Sequence, residues 1–170
     1  TASLIAVALV IAFMLLYYRT GGLAANIAVV VNVLLMIGLL AGFNGTLTLP
    51  GIAGIILTIG MAVDANIIIY ERIREELATG KTLRAAIDSG YSMSLSAIID
   101  SNITTFITGL ILYLLGTGPI QGFALTLMIG IGTTLFTGIF VSRAIIELMM
   151  ANGATSLNFG QPSNTSAARA

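Results

Sequence analysis

The sequence contains no cysteine and no histidine, and only 8% of its 170 residues are charged. The lack of cysteine excludes a disulfide framework, a thiolate metal site and a thiol nucleophile, and the lack of histidine excludes a Ser–His or Cys–His pair. A phosphate-binding loop of the GxxxxGK type is also absent. We therefore expect no enzyme in this chain, neither an ATPase nor a hydrolase, and no metal or cofactor. The net charge is zero, so nothing indicates a nucleic-acid partner.

Apolar residues dominate what is present, because they make up 57% of the chain and the mean hydropathy is +1.04. A soluble domain carries about 25% charged residues, so this composition indicates an integral membrane protein. Crossing a bilayer takes about 20 apolar residues. Five runs approach or exceed that length: Ser3–Tyr18, Leu23–Phe43, Leu49–Tyr70, Leu95–Leu115 and Ile120–Met150. Backbone polar groups in lipid must bond within their own segment, so we expect five transmembrane helices and an all-α fold.

The two ends of the chain have different characters. The first run follows no Met and no basic region, and Tyr17, Tyr18 and Arg19 come after it, which is the reverse of a signal peptide. We interpret this run as a span, and the chain as a segment of a longer protein whose N-terminal side starts outside the cytoplasm. The membrane domain is expected to cover residues 1–150. The polar residues 151–170 are expected to form a disordered tail or a linker.

Basic residues lie in alternate connections: in RTGG at 19–22, which we expect to be a short turn, in the loop at 71–94, and near the end of the last run. The other two connections, at 44–50 and 116–119, carry no charge. The positive-inside rule then places the 71–94 loop and the C-terminus in the cytoplasm.

The 71–94 loop is expected to be partly helical. Glu71–Leu77 continues the third helix out of the membrane, with Gly80 as its cap. Thr82–Asp88 has the pattern of a short amphipathic helix, and Gly90 is expected to end it. The alternative is a solvated linker that only returns the chain to the membrane.

Two acids lie inside the predicted spans, Asp64 and Asp100, and each is followed two residues later by an asparagine, Asn66 and Asn102. An ionisable residue in a span costs a few kcal/mol on insertion scales and marks a functional site by default. The third and fourth spans are antiparallel, and at about 1.5 Å per residue both acids lie roughly 10–14 Å inside the cytoplasmic boundary. No Lys, Arg or His of the sequence lies at that depth. A carboxylate there favours its protonated form, and it can exchange protons as its hydration changes.

Polar and small residues near these acids complete the predicted site. Thr104 and Thr108 follow Asp100 in steps of four and form a polar ridge. Together with Asn66 and Asn102, they are expected to support a proton path. Small residues let helices approach closely. We expect this packing role for Gly54, Gly60, Gly130 and Gly132. The alternative for both acids is a protonated side chain that only hydrogen-bonds the helices together.

Three stretches resemble one family: LTLPGIAGIILTIGMAVDANIIIYERIREEL at 47–77, AIIDSNITT at 97–105 and GTGPIQGFALTLMIGI at 116–131. They resemble the signature segments of the SecD branch of the SecD/SecF family, in the family's order, and the likeness runs from about Leu15 to Glu147. The resemblance implies the membrane half of such a protein, its second to sixth helices. It also implies a half-bundle like that of the resistance–nodulation–division (RND) exporters.

The resemblance further implies a function in the bacterial inner membrane. The family uses the proton-motive force to complete the translocation of polypeptides, and its proposed proton-relay acid corresponds to Asp64, with the acid of the next helix at Asp100. The implied partners are SecF, either separate or fused, which supplies a facing acid and an arginine, and the SecYEG translocon. Further implied partners are YajC, YidC, the translocating polypeptide and the lipid membrane. Two other functions stay open: a proton-driven RND-type exporter half for small molecules, and a translocon scaffold that moves no protons.

Overall fold

The fold is described from a computed structural model at residues 2–42, 48–152 and 157–160, with side chains from residue 5 onward. These residues contain helices and no strand, so the all-α prediction is confirmed for them. The elements are α1 (Ala2–Tyr18), α2 (Thr20–Gly42), α3 (Leu49–Ala78), α4 (Leu83–Leu115), α5 (Pro119–Phe136), a π-helical segment (Thr137–Val141) and α6 (Ser142–Ala151).

Four of the helical stretches are long and apolar enough to cross a membrane, namely α2, α3, α4 and the continuous helix Pro119–Ala151. The apolar part of α1, Ile5–Tyr18, is shorter than a full span. Within the described residues, each of the five predicted runs forms a helix. Both α3 and α4 are longer than their apolar runs, because their helical structure continues into the charged residues at 71–94.

The connection between α1 and α2 is a single residue, Arg19, whose φ of 45° lies in the left-handed region. The predicted turn at 19–22 is therefore wrong in its extent, because α2 already begins at Thr20. The two helices meet very closely, since a β-carbon on Gly22 would overlap the backbone carbonyl of Met14. Only glycine lets α2 fold back against α1 at this distance.

The hairpin between α3 and α4 is tight, so the solvated-linker alternative is wrong. α3 ends at Ala78, and Gly80 follows with a φ of 91°, as expected for a glycine after a helix. Thr82 caps the next helix, because its hydroxyl accepts a hydrogen bond from the Ala85 N–H at 3.4 Å.

The predicted helix end at Gly90 is wrong, because α4 runs on without a break to Leu115. Gly90 lies instead where α4 crosses α3. A β-carbon at this position would overlap the side chain of Ile73. The glycine is thus needed for close packing between the two helices rather than for a helix terminus.

The last apolar run changes its hydrogen-bonding pattern once. The uncharged connection 116–119 is a tight turn in which Gly118 has a φ of 50°, and α5 begins at Pro119. Between Thr137 and Val141 the helix is π-helical, after which α6 continues. A π-helical turn widens the helix and rotates the residues that follow it, and such turns are frequent at functional sites.

α3 is the centre of the bundle and contacts α1, α2, α4 and α5. Its contact with α5 is closest at two of the glycines predicted to pack. A β-carbon on Gly54 would lie 3.2 Å from Thr126 Cγ2, and a β-carbon on Gly130 would overlap the side chain of Thr58. The packing role therefore has a structural basis at these two positions.

Gly60 and Gly132 are placed differently. A β-carbon on either residue would meet no atom within 4 Å in the described part of the chain. Gly132 is exposed, and Gly60 is partly exposed. The described residues therefore give no close packing at these two glycines.

Part of the polar C-terminal stretch packs against the helices. Phe159 is fully buried, and the centroid of its ring lies 5.3 Å from that of Tyr70. Leu157 is buried as well. At 157–160 the structure differs from the expected disordered tail, because two apolar side chains find a place in the bundle. Residues 153–156 and 161–170 lie outside the described residues, and the division of the chain at residue 150 stays a prediction.

Candidate functional site

Charged side chains gather at one end of the bundle, where α3 ends and α4 begins. The ion pairs there have N···O distances of 2.6–3.3 Å: Arg72–Glu75, Arg72–Glu76, Arg74–Glu71, Lys81–Glu76, Arg143–Asp88 and Arg143–Glu147. The hydrogen bond from Lys81 lowers the pKa of Glu76 below its usual range. Within the described ranges, no three acidic side chains are grouped so as to hold a metal ion. We call this region the charged end of the bundle.

Asp64 lies in an open groove between α3 and α4, which we call the Asp64 groove. Its volume is about 270 Å³, and its walls are Met61, Asp64, Ala65 and Ile68 on α3 and Ile98, Ser101, Asn102 and Thr105 on α4. Asp64 is exposed, and its carboxylate has no hydrogen bond or ion pair with any described residue. Glu71, the first residue of the charged end, comes seven residues later. That separation is about 10 Å along a helix.

Asp100 is near in sequence to the groove wall but does not line it. The groove face of α4 contains Ser101, the next residue, and successive residues of a helix point about 100° apart. Thr104 and Thr108 share the face of Asp100, and all three are exposed. The structure therefore brings neither Asp100 nor its threonine ridge into the groove that holds Asp64.

The hydroxyl groups on the α4 wall already donate their hydrogens to the helix backbone. Ser101 Oγ donates to the Ile98 carbonyl at 3.0 Å, and Thr105 Oγ1 donates to the Ser101 carbonyl at 3.0 Å. The two hydroxyl oxygens therefore face the groove only as hydrogen-bond acceptors. In this arrangement these oxygens can accept a hydrogen bond from a protonated carboxyl group or from water.

The two asparagines predicted to support the path are both buried, and they point to different places. Asn102 lines the Asp64 groove, and its Nδ2 donates to the Ile98 carbonyl at 2.8 Å. Asn66 lies inside the bundle, where its Nδ2 donates to the Ala62 carbonyl at 2.9 Å. Its Oδ1 has no hydrogen-bond partner in the described chain. The structure thus brings Asn102, but not Asn66, to the acid.

A second open groove lies between the Asp64 groove and the charged end. Ile68 belongs to the walls of both grooves. The second groove has a volume of about 430 Å³ and is lined by Ile67, Ile68, Glu71, Arg72, Glu75, Met93, Ser94 and Ala97. The two grooves together follow the seam of α3 and α4 from the charged end to the level of Asp64.

A buried hydroxyl cluster, which the sequence did not single out, joins α3, α4 and α6. Ser142 Oγ lies 3.3 Å from Tyr70 Oη and 3.0 Å from Tyr91 Oη. The guanidinium of Arg143 lies over the Tyr91 ring, 5.7 Å from its centroid. Ser142 directly follows the π-helical segment, which sets the face that α6 turns inward. No local pattern indicates this cluster, because its hydrogen-bonded residues are 72 and 51 positions apart.

The chain matches the family described as protein export membrane protein SecD/SecF, C-terminal, over residues 1–152. It is similar to the protein translocase subunit SecD of Rhodothermus marinus, with 60% identity over 152 residues, and to that of Magnetococcus marinus, with 56% identity over 144 residues. These matches cover 89% and 85% of this chain but only 24% and 27% of the relatives. The chain therefore spans about a quarter of the length of these relatives.

The fold is similar to a solved structure as well. The match is the crystal structure of SecDF, a translocon-associated membrane protein, from Thermus thermophilus, with a TM-score of 0.85 and 41% sequence identity. It covers 89% of this chain and 21% of that one. The likeness of the three sequence stretches thus extends to the arrangement of the helices. The chain belongs to the SecD/SecF C-terminal family of protein export membrane proteins.

Proposed function

We propose that this chain is the proton-driven membrane part of a Sec protein-export subunit in the bacterial inner membrane. Asp64 takes up and releases a proton, and the accompanying movement of α3 against α4 helps to complete polypeptide translocation. The observation that carries the proposal is the unpaired Asp64 carboxylate, in a groove that extends toward the charged end. Family membership supports the export function, since the relatives are named protein translocase subunits.

The two protonation states of Asp64 need different neighbours. A protonated carboxyl group finds acceptors on Ser101 and Thr105, whose hydroxyl hydrogens are already used. An ionised carboxylate finds no free hydroxyl hydrogen on these two residues, and its charge calls for a cation or for another donor, such as the second amide hydrogen of Asn102. Each proton transfer therefore changes which surface Asp64 binds, and this difference can shift the balance between two helix arrangements.

The open side of the groove fits a second helical unit that supplies the missing charge. We propose that SecF, separate or fused, covers this side and contributes a facing acid and an arginine. The SecYEG translocon, YajC and YidC are further proposed partners, and the translocating polypeptide is the substrate. In this arrangement the charged end of the bundle and the C-terminus lie in the cytoplasm, as the positive-inside rule predicts. The chain itself carries out no covalent chemistry.

Asp100 remains a proposed second proton-carrying residue of the relay. It lies on the outward face of α4 together with Thr104 and Thr108. These residues can take part only where another helix covers that face. A neutral substitution at Asp100 is therefore expected to have a smaller effect on proton coupling than one at Asp64.

The test is Asp64→Asn in the full-length protein together with its partner subunits, in membrane vesicles whose proton gradient can be imposed or collapsed. We expect the gradient-dependent part of polypeptide export to be lost. The matched control is Asp88→Asn, which removes an acid at the charged end and should leave that part largely intact. Full gradient-dependent export by the Asp64 variant would overturn the proposal and favour a scaffold that moves no protons.

A further inference from the structure

Four residues beyond α6, Leu157–Gly160, bind the junction of α1 and α2, and we call them the C-terminal clip. Phe159 is fully buried and Leu157 is 5% exposed, although the surrounding sequence is polar. The Phe159 ring packs on Tyr70 of α3, with the centroids 5.3 Å apart. The clip therefore touches α3 as well as the junction.

The clip also forms hydrogen bonds with the first two residues of α2, through the backbone of Asn158. The Asn158 carbonyl accepts from the Gly21 N–H at 3.2 Å and from Thr20 Oγ1 at 3.0 Å. The Asn158 N–H in turn donates to Thr20 Oγ1 at 2.6 Å. The first N–H groups of a helix have no partner within the helix. The clip thus supplies an acceptor for one of these N–H groups, that of Gly21.

The junction forms a slot whose shape selects the clip sequence. A β-carbon on Gly21 would lie 2.7 Å from Phe159 Cδ1, so any larger residue there would displace the ring. Gly160 has a φ of 83°, and a β-carbon on it would lie 3.0 Å from the Tyr17 ring. The Gly160 N–H donates to Asn158 Oδ1 at 2.9 Å, which folds the clip into a turn. Asn158, Phe159 and Gly160 therefore each make a different contact: a hydrogen bond within the clip, packing against Gly21, and a close approach to Tyr17.

The contacts of the clip lie on both sides of the only residue between α1 and α2. Tyr17 precedes Arg19, whereas Thr20 and Gly21 follow it. Arg19 has a φ of 45°, which is unusual for a residue other than glycine. The clip therefore holds the chain on both sides of this strained connection.

We propose that the α1–α2 junction is a binding site for the Asn-Phe-Gly clip, and that the bound clip locks the turn at Arg19. With the clip in place, α1, α2 and α3 move as one body. When the clip leaves, the turn at Arg19 loses the contacts that hold its two flanks, and α1 stays linked to α3 only through its own residues, such as Tyr18, which donates to Glu71 at 2.8 Å. The four residues can leave as a unit because their departure breaks no hydrogen bond within a helix. This lock is independent of the protonation of Asp64.

Cysteine labelling tests whether the clip is bound, because residues 1–170 contain no cysteine of their own. Leu157→Cys, as the sole cysteine of the full-length protein in membranes, should react with a maleimide at least tenfold more slowly than Arg84→Cys, an exposed site. Adding Gly21→Leu should fill the slot and raise the rate at position 157 to that at position 84. Gly38→Leu, on the same helix but with no atom within 4 Å of its β-carbon, should leave position 157 protected.

Two results of this experiment would overturn the proposal: fast labelling at position 157 without any slot substitution, or protection that persists with Gly21→Leu. If Gly21→Leu does not fold, Phe159→Ala replaces it, since that change only removes atoms, and the same rise in labelling is expected.

Hydrogen exchange tests the lock itself. Phe159→Ala should increase the exchange rate of the backbone amides at residues 17–24 at least tenfold. Phe140→Ala, which removes a ring that is 64% exposed, should not. Unchanged exchange at residues 17–24 in Phe159→Ala would show that the clip binds without locking the turn, and would overturn that part of the proposal.

Discussion

Gly130 on α5 and Thr58 on α3 touch so closely that a β-carbon on the glycine would overlap the threonine side chain. Thr58 cannot easily swing away, because its Oγ1 donates a hydrogen bond to the Gly54 carbonyl at 2.8 Å. The contact therefore fixes the crossing of α3 and α5. It lies six residues before Asp64 on the helix that carries the acid.

A valine at position 130 should separate these two helices. Gly130→Val inserts three carbon atoms into a filled contact, and overpacking of this kind costs about 1–3 kcal/mol. We expect a lower midpoint of thermal unfolding for the purified protein in detergent. Gly132→Val, two residues along the same helix and facing away from the bundle, is the control and should leave the midpoint nearly unchanged. Equal losses in the two variants would contradict this view of the α3–α5 contact.

Removing the hydroxyl of Ser142 should weaken the contact between α3, α4 and α6. Ser142→Ala leaves the buried hydroxyls of Tyr70 and Tyr91 without the oxygen that they share. An unsatisfied buried polar group costs about 1–3 kcal/mol, so unfolding should occur at a lower denaturant concentration. Adding Tyr91→Phe to Ser142→Ala should restore part of the loss, because one unsatisfied hydroxyl is then gone. A further loss of the same size would argue against the cluster.

The pair Glu76–Lys81 should make the stability of the hairpin depend on pH. Lys81 lowers the pKa of Glu76 in the folded state below the ordinary value of 4.5. A lowered folded-state pKa stabilises the fold above the ordinary value, and this contribution is lost as the pH falls through the folded-state pKa. Unfolding measured between pH 7 and pH 3 should show this loss in the wild type and a weaker pH dependence in Glu76→Gln. Identical pH profiles would rule out the pair as a source of stability.

Two threonines on α4 allow the two polar faces of this helix to be compared. Thr105 lines the Asp64 groove, whereas Thr108 lies on the outward face with Asp100. Thr105→Val keeps the shape but removes a hydrogen-bond acceptor beside Asp64, so we expect a reduction of at least threefold in gradient-dependent export. Thr108→Val should reduce export less, with gradient-independent export as the internal reference for both. The opposite order would place the proton path on the outward face.

Much of the fold followed from local sequence patterns. The apolar runs predicted the five helices, and Gly80 marked where α3 ends. Two of the errors concern glycines whose role depends on a distant residue. Gly90 looks like a helix terminus in the sequence, yet it packs against Ile73 of another helix. The sequence contains no local sign of that contact.

The candidate site shows the same division. The distance of Asp64 from the charged residues, about 10 Å, follows from the number of residues between them. The sequence did not show which face of α4 lies beside Asp64. Ser101 and Thr105 line the groove while Asp100 does not, because the rotation of α4 about its own axis is set by its packing against α3.

The sequence alone determined that this is a membrane bundle of apolar helices with an acid inside one of them, because hydropathy, charge and helix length are properties of consecutive residues. Only the tertiary structure decided which side chains meet. It placed acceptor oxygens beside Asp64, joined Tyr70, Tyr91 and Ser142, and bound Phe159 at the start of α2. These contacts join residues far apart in the chain, and they depend on how whole helices rotate and pack against one another.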